Sequence, residues 1–586
     1  MRLRNRLAVA ILGTFICATV ASAQTTPAPS SYDAVTDRGP RAEPALPAIG
    51  GTGYGFVDPA FGTPIRRMTD AATRPGSHSR SYRTPSGTHQ NAWSADGSYF
   101  YVVSTDGTVV PFAFDTSTGR AARINPTADG DGGFVLRFYI EPQFSYVTSG
   151  VIYGSFTGPG ATLRTIDQFD FTTGDYTRLL DLDTLVPGLA GTYIGGIGSS
   201  AGPVERIMTF FGGTSQDRHF YLTVFDKANP SSRRLLDTKN SRVDGVPTNI
   251  TLNFNLHAAA IDRTGRYITL YPTGVDRSAP RNADPNYLWD TATDVFTALP
   301  SIAARSNGHD AYGYGIRVNQ DCCASTSWDA AQWQIRSLQA PLTTRDAVMP
   351  VLQPKELYLS EHPSWHNASP DRMVPFVTAT YRYGDNTVEW RAWDDEIVAV
   401  QTDMPADVGA EVWRLAHHRS DVRHDSDPLR ISFWYSPRAN ISGDGRWVLF
   451  TSNWEKTLGT DPGAAAGGSA RQDVFLLELK PATTGDPDPE PEPDPPAPVS
   501  TIQVSTTSLP PAKRNKPYST TLAAADAQGP VTWQVAGGSL PPGLSLAAAS
   551  GVISGRPRSD GTHSFTVRAT DAVGGATRGL SITVQK

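Results

Sequence analysis

Three stretches of the chain repeat one pattern: an apolar run, a tight turn carrying Asp-Gly or Thr-Gly, and a second run rich in aromatic and β-branched residues. They are NAWSADGSYFYVV (91–103), AAAIDRTGRYITLY (258–271) and ANISGDGRWVLFTS (439–452). The turn supplies the positive-φ glycine that a hairpin requires, and the run after it reads as a buried strand. Weaker copies begin near Phe138, Thr192, His309 and His362. Unit starts at about 89, 138, 192, 256, 309, 362 and 437 give seven units, 49 to 75 residues apart. Each has room for four short strands, and none carries a helical stretch. A hairpin repeat of this length buries its apolar faces only by packing on its neighbours, which predicts a seven-bladed β-propeller over 54–480.

The segment PAFGTPIRRMTD (59–70) is expected to lend an outer strand to the last blade, whose own strands end at DVFLLEL (473–479). That closure removes free sheet edges. With the ADG and GDG turns, this opening resembles TolB-type or WD40-like propeller repeats. The resemblance covers most of 54–480 and implies a fold rather than a function, since such propellers serve as binding platforms and as enzymes.

Composition agrees with an all-β chain. The 586 residues include 53 glycines and 46 prolines, and only 18% are charged. This excludes a coiled coil, a helical bundle and a wholly disordered chain. A net charge of −6 gives no electrostatic footprint for nucleic acid.

Arg2, Arg4 and Arg6 precede an apolar stretch from Leu7 to Val20, and Ala21-Ser22-Ala23 forms a small-residue cleavage site. Residues 1–23 therefore read as a signal peptide. A secreted, periplasmic or extracellular protein is expected, with no membrane insertion after cleavage. Residues 24–53, rich in Pro, Ala, Thr and Ser, read as a disordered segment. Residues 481–500 alternate proline with acids and read as a stiff, extended spacer.

Residues 501–586 carry short strand signals, with strict alternation over Ser564–Ala569 and Leu580–Val584. They predict a small antiparallel sandwich. The signatures Leu540-Pro541-Pro542-Gly543-Leu544 and Gly551-Val552-Ile553-Ser554-Gly555 resemble the putative Ig family related to dystroglycan-type cadherin-like modules. The resemblance implies a seven-strand sandwich without the antibody disulfide. Some cadherin-like modules bind calcium. Here Asp571 is suggestively placed, but the acidic cluster is missing and calcium is not expected.

With Cys17 inside the signal, Cys322 and Cys323 are the only cysteines left, and they are adjacent. They cannot make a disulfide framework. In an oxidising compartment a strained vicinal ring is expected, with two buried thiols as the alternative.

Histidine placement is the main functional signal. His89 lies seven residues before Asp96 of its turn, and His257 seven before Thr264. Equal register means equal height on the innermost strand, at one mouth of the channel. His309, His362 and His366 open further units, and Arg438 takes this place in the last. All six are candidate ligand-binding residues, with His89, His257 and Arg438 as catalytic candidates. A divalent metal on His257, His309 and His362 would suit converging imidazoles. A neutral histidine would also suit proton abstraction. Some polysaccharide lyases are propellers with His, Tyr and Arg at such a mouth; this chain is similar to them only at that level. The plainer alternative is that these histidines cap strands and bond to neighbouring blades.

His417, His418 and His424 with Asp421, Asp425 and Asp427 could bind a metal, but read more simply as a solvated loop leading into the last blade. Tyr312, Tyr314, Trp328 and Trp333 read as inter-blade filling. No GxSxG elbow, HExxH helix, P-loop or dinucleotide fingerprint is present. Two functions stay open: a binding protein for a glycan or protein ligand, or a glycan-active enzyme.

Overall fold

The computed structural model describes residues 27–586 apart from 75–79, 88–89, 125–135, 139–140, 158–163, 190–192, 214–218, 274–285, 300–309, 322–331, 343, 348–356, 360–361, 372, 383–389, 391, 403–409, 426, 462–468, 483–501, 528 and 572–574. The chain divides into two compact units, 1–483 and 484–586.

Among the described residues, seven antiparallel sheets of four to six strands form the blades of the first unit, and a two-stranded sheet, Arg423–His424 with Asp427–Ile431, is added to them. In blades 2, 4, 5 and 6 four strands follow one another across the sheet in chain order. Blade 4 is typical: Asn255–Ile261, Tyr267–Thr273, Tyr287–Asp290 and Val295–Ala298. Blade 7 is closed from the other end of the chain. Pro64–Arg67 pairs with Asp473–Glu478, and Gly55–Val57 adds outside it. The expected strand exchange is therefore present, and it joins the first blade sequence to the last.

The three repeated turns share one geometry. Gly97, Gly265 and Gly445 have φ of 72°, 76° and 70°. In each turn the residue three before the glycine accepts its N–H: Ser94, Asp262 and Ser442. A side chain at positive φ is strained, so each turn fixes both the glycine and the hairpin register. Between blades the core is aromatic. Phe114 meets Trp447 edge-on at 5.1 Å, joining blades 1 and 7.

Two sequence expectations need adjustment. Phe138, expected to start blade 2, lies in Leu136–Phe138, which pairs with Thr108–Val109 of blade 1. Blade 2 begins instead at Gln143–Phe144. Residues 27–53, expected to be disordered, run along blades 6 and 7. Tyr32 is buried and donates to the Gly445 carbonyl at 2.9 Å. Val35 bridges Arg414, and Trp454 Nε1 donates to the Pro47 carbonyl at 3.0 Å. Composition marks the segment as unable to build its own core, but not as unable to cover another. The signal segment 1–23, Cys322, Cys323 and nearly all of the spacer lie outside the described residues.

The second unit is an Ig-like sandwich. One sheet orders Ala512–Lys513, Gly575–Gln585, Gly561–Thr570 and Thr532–Gly538. A second orders Tyr518–Thr521, Val552–Gly555 and Leu544–Leu546. Trp533, Ile553, Phe565, Val567 and Ile582 fill the space between. The two glycine signatures meet there: a Cβ on Gly555, at φ 141°, would stand 2.1 Å from the Gly543 carbonyl oxygen. Only backbone fits at that contact.

Candidate functional site

The first strand of each blade lines the channel. Glu141 immediately precedes the first strand of blade 2, and Arg83 lies on Tyr82–Arg83 of blade 1. His362 stands just before Ser364, which bridges Val377 of blade 6. Arg438 opens blade 7, in the left-handed region at φ 41°. Four consecutive blades around the ring thus bring these groups to the end of the channel where the innermost strands begin.

The centre of this group is the short 3₁₀ turn Phe433–Tyr435. Phe433 and Trp434 are 40% and 48% exposed, unusual for large aromatics. Their rings meet edge-on at 5.2 Å. The Arg438 guanidinium lies 5.0 Å from the Phe433 ring centre and 5.6 Å from that of Trp434. Arg83 covers Trp434 at 5.0 Å. His362, itself buried, sits 5.6 Å from Phe433.

Charge at this mouth is unequally matched. Arg83 pairs with Glu141 at 2.5 Å. Burial would raise the Glu141 pKa, but the Arg83 charge and the Ser86 hydroxyl and N–H overcome it and hold the carboxyl below its ordinary range. Arg438 is fully buried, and its Nη2 donates to the Trp434 carbonyl at 2.7 Å. Its Nη1 has no hydrogen-bond partner among the described residues. Burial, then the neighbouring Arg83, lowers its pKa to about 9, so it stays cationic at neutral pH.

A second group lies deeper. Past the first strand of blade 4, Arg263 stacks on the Tyr146 ring at 3.3 Å and approaches His366 Nδ1 at 3.2 Å. Tyr146 Oη is 3.0 Å from the same nitrogen, and Asn440 Nδ2 is 3.2 Å from His366 Nε2. Arg263 presents an N–H and Tyr146 a hydroxyl to Nδ1, and the Asn440 amide lies at Nε2, so both ring nitrogens face the protein.

The six histidine and arginine candidates therefore separate. His362 and Arg438 share the mouth; His366 belongs to the deeper group. His257 is exposed where the blade 4 register breaks between Leu256 and Ala258. His89 and His309 lie outside the described residues. Among the described residues no group of three His, Cys, Asp or Glu side chains is arranged to hold a metal ion.

His417 and His418 are not in a solvated loop. Both are fully buried at the end of blade 6. His418 Nε2 donates to the Thr380 carbonyl at 2.7 Å while Nδ1 accepts from Ser420 N at 3.0 Å. Sequence reasoning missed Arg83, Glu141, Phe433, Trp434, Tyr146 and Arg263. Only the Phe-Trp-Tyr run of 433–435, directly before a blade start, gave a usable signal.

Residues 499–585 match the putative Ig domain family. The second unit is an Ig-like domain. No curated protein matches the chain. Among solved structures, an oligogalacturonate lyase from Vibrio parahaemolyticus is 11% identical, covering 74% of this chain and 98% of its own, at a TM-score of 0.41. The WD40 repeats of RRP9 are 12% identical over 74% of this chain and 100% of theirs, at 0.37. A putative α-galactosidase from Bacteroides fragilis is 25% identical over 14% of this chain, which spans 17% of that protein, at 0.14. These scores are low, and the propeller assignment rests on the sheet order. No helix among the described residues is long and apolar enough to cross a membrane.

Proposed function

We propose that this is an exported glycan-binding protein whose propeller mouth holds an acidic sugar chain, with the Ig-like domain attaching it to a surface or partner. One observation carries the reading: two large aromatics stand exposed at the channel mouth, and the guanidinium behind them has no ion pair among the described residues. An aromatic face suits the apolar face of a sugar ring, and Arg438 favours a ligand bearing negative charge. Calorimetric titration with uronate-containing and neutral oligosaccharides tests it. Binding of the acidic set, lost in Trp434→Ala, supports the reading. No binding across the panel sinks it.

His362, beside Phe433 at the same mouth, favours a second reading. In a lyase-like reaction a neutral imidazole would take the proton α to a uronate carboxylate and Arg438 would balance the carbanion's charge; the C4–O glycosidic bond would then break as the C4=C5 double bond forms, the leaving oxygen taking a proton from solvent. New absorbance from unsaturated uronate products, abolished by His362→Ala, separates an enzyme from a binder. If a divalent metal takes part, His257 and His309 would have to join His362 around it, and metal analysis of the purified protein tests that.

A further inference from the structure

The deeper group encloses a cavity of about 20 Å³, lined by first-strand residues of blades 2 to 5 and by His366 of blade 6. That is room for one water-sized occupant and too little for a sugar or a tetrahedral oxyanion. Its polar walls are Gln143, Ser199, Tyr146, Arg263, Tyr312 and His366, and no acidic residue lines it among the described residues.

Arg263 is 6% exposed, and its Nε has no hydrogen-bond partner among the described residues. No described carboxylate forms an ion pair with it. The adjacent Asp262 is turned away, accepting from Thr264, Tyr267 and the Gly315 N–H. The other contacts of Arg263 are the Tyr146 ring, the Trp365 carbonyl and the His366 imidazole. A guanidinium does not give up its proton in a protein, and a buried charge without a counter-charge is costly. Ser199 Oγ accepts from Gln143 Nε2 at 3.0 Å, which leaves its own proton to donate. The cavity thus has a cation and a hydroxyl donor in its wall. Water would satisfy the donors but not the charge.

We propose that this cavity is a binding site for a single monoatomic anion of the halide class, which neutralises Arg263 and locks the centre of the propeller. The site is separate from the mouth and does not depend on what binds there. The test is a crystal of the full chain soaked in bromide, read by anomalous scattering, with thermal unfolding in sodium chloride against sodium gluconate at constant ionic strength. We expect an anomalous peak in the cavity beside the Arg263 guanidinium. We also expect a saturable rise of the unfolding midpoint with chloride, lost in Arg263→Gln. A cavity holding only water in the bromide-soaked crystal would overturn the proposal, whatever the variant does. An equal chloride response in wild type and Arg263→Gln would overturn it too. A peak only at the mouth, beside Arg438, would place the anion elsewhere and count against it.

Discussion

Two sets of buried arginines run through the propeller, and they are treated differently. On the outer side of blade 6, Arg414 makes a bidentate pair with Glu396, at 2.8 Å from Nε and 2.6 Å from Nη2, and reaches Asp37 of the N-terminal segment at 3.0 Å. Arg471 pairs with Asp473, and Arg317 with Asp310. Along the channel, Arg263 and Arg438 are as deeply buried, yet neither has a carboxylate ion pair among the described residues. The matched charges are paired within single blades or with the N-terminal segment. At the channel Arg83 is paired with Glu141, while Arg263 and Arg438 have no ion pair among the described residues.

The largest test of this contrast is on the matched side. Arg414→Met leaves the Glu396 carboxylate buried and unpaired and also releases the N-terminal segment. Breaking one side of such a pair costs about 3–5 kcal/mol. Urea unfolding should show that loss, while ligand binding at the mouth of the folded variant stays as in wild type. A loss below about 1 kcal/mol would mean that the pair is no more valuable than a surface one.

The same side of the molecule should set the acid limit of stability. Burial first, and neighbouring arginines after it, lower the pKa of His417 to about 4; burial lowers that of His418 to about 3. Both are depressed from 6.5. The unfolded chain therefore takes up protons before the folded one does. Their contribution is complete above pH 6.5 and is lost as pH falls toward 4 and 3, at up to about 1.4 kcal/mol per pH unit for each histidine. Denaturant midpoints measured from pH 7 to 4.5 should fall accordingly. His418→Gln should flatten the slope, and an unchanged slope would refute the assignment.

How far the sequence reached follows the same division. The turns at Gly97, Gly265 and Gly445 were legible because only a positive-φ residue fits them, and their spacing carried the blade count. Gly543 and Gly555 were legible for a similar reason: each excludes any side chain. Unit starts put His362 and Arg438 at blade openings, and both lie beside Phe433. It could not place Phe433 and Trp434, which stand on a one-turn 3₁₀ segment outside any period. Arg263 looked like an ordinary residue of an RTG turn, because nothing local says that its side chain runs inward under Tyr146. The docking of 27–53 was hidden because composition averages over Tyr32 and Val35, the two residues that bridge it to the strands.

On the unmatched side, Arg438→Met should change little in the empty protein. It removes an uncompensated buried charge and keeps most of the apolar stem, so stability should stay within about 1 kcal/mol of wild type or rise. Binding of an acidic oligosaccharide should weaken, and the salt dependence of that binding should shrink with it. A loss of stability as large as that of Arg414→Met would erase the distinction between the two sets.

The smallest change in stability belongs to Trp434→Ala. Its ring is nearly half exposed, so removing it opens no cavity, and substitutions of this kind usually stay within about 0.5 kcal/mol. The Arg438 hydrogen bond goes to the Trp434 carbonyl rather than to its indole, so it survives the change. What goes with the ring is its contacts with Phe433, Arg83 and Arg438 and the surface offered to a ligand. Affinity for the acidic oligosaccharide should then drop about tenfold or more, a difference of ~1.4 kcal/mol, at an unchanged unfolding midpoint. Trp434→Phe should restore part of it, because a smaller aromatic face remains. If Trp434→Ala instead lowers the midpoint and leaves affinity intact, the exposed ring is part of the scaffold, and the mouth joins the matched side of the molecule.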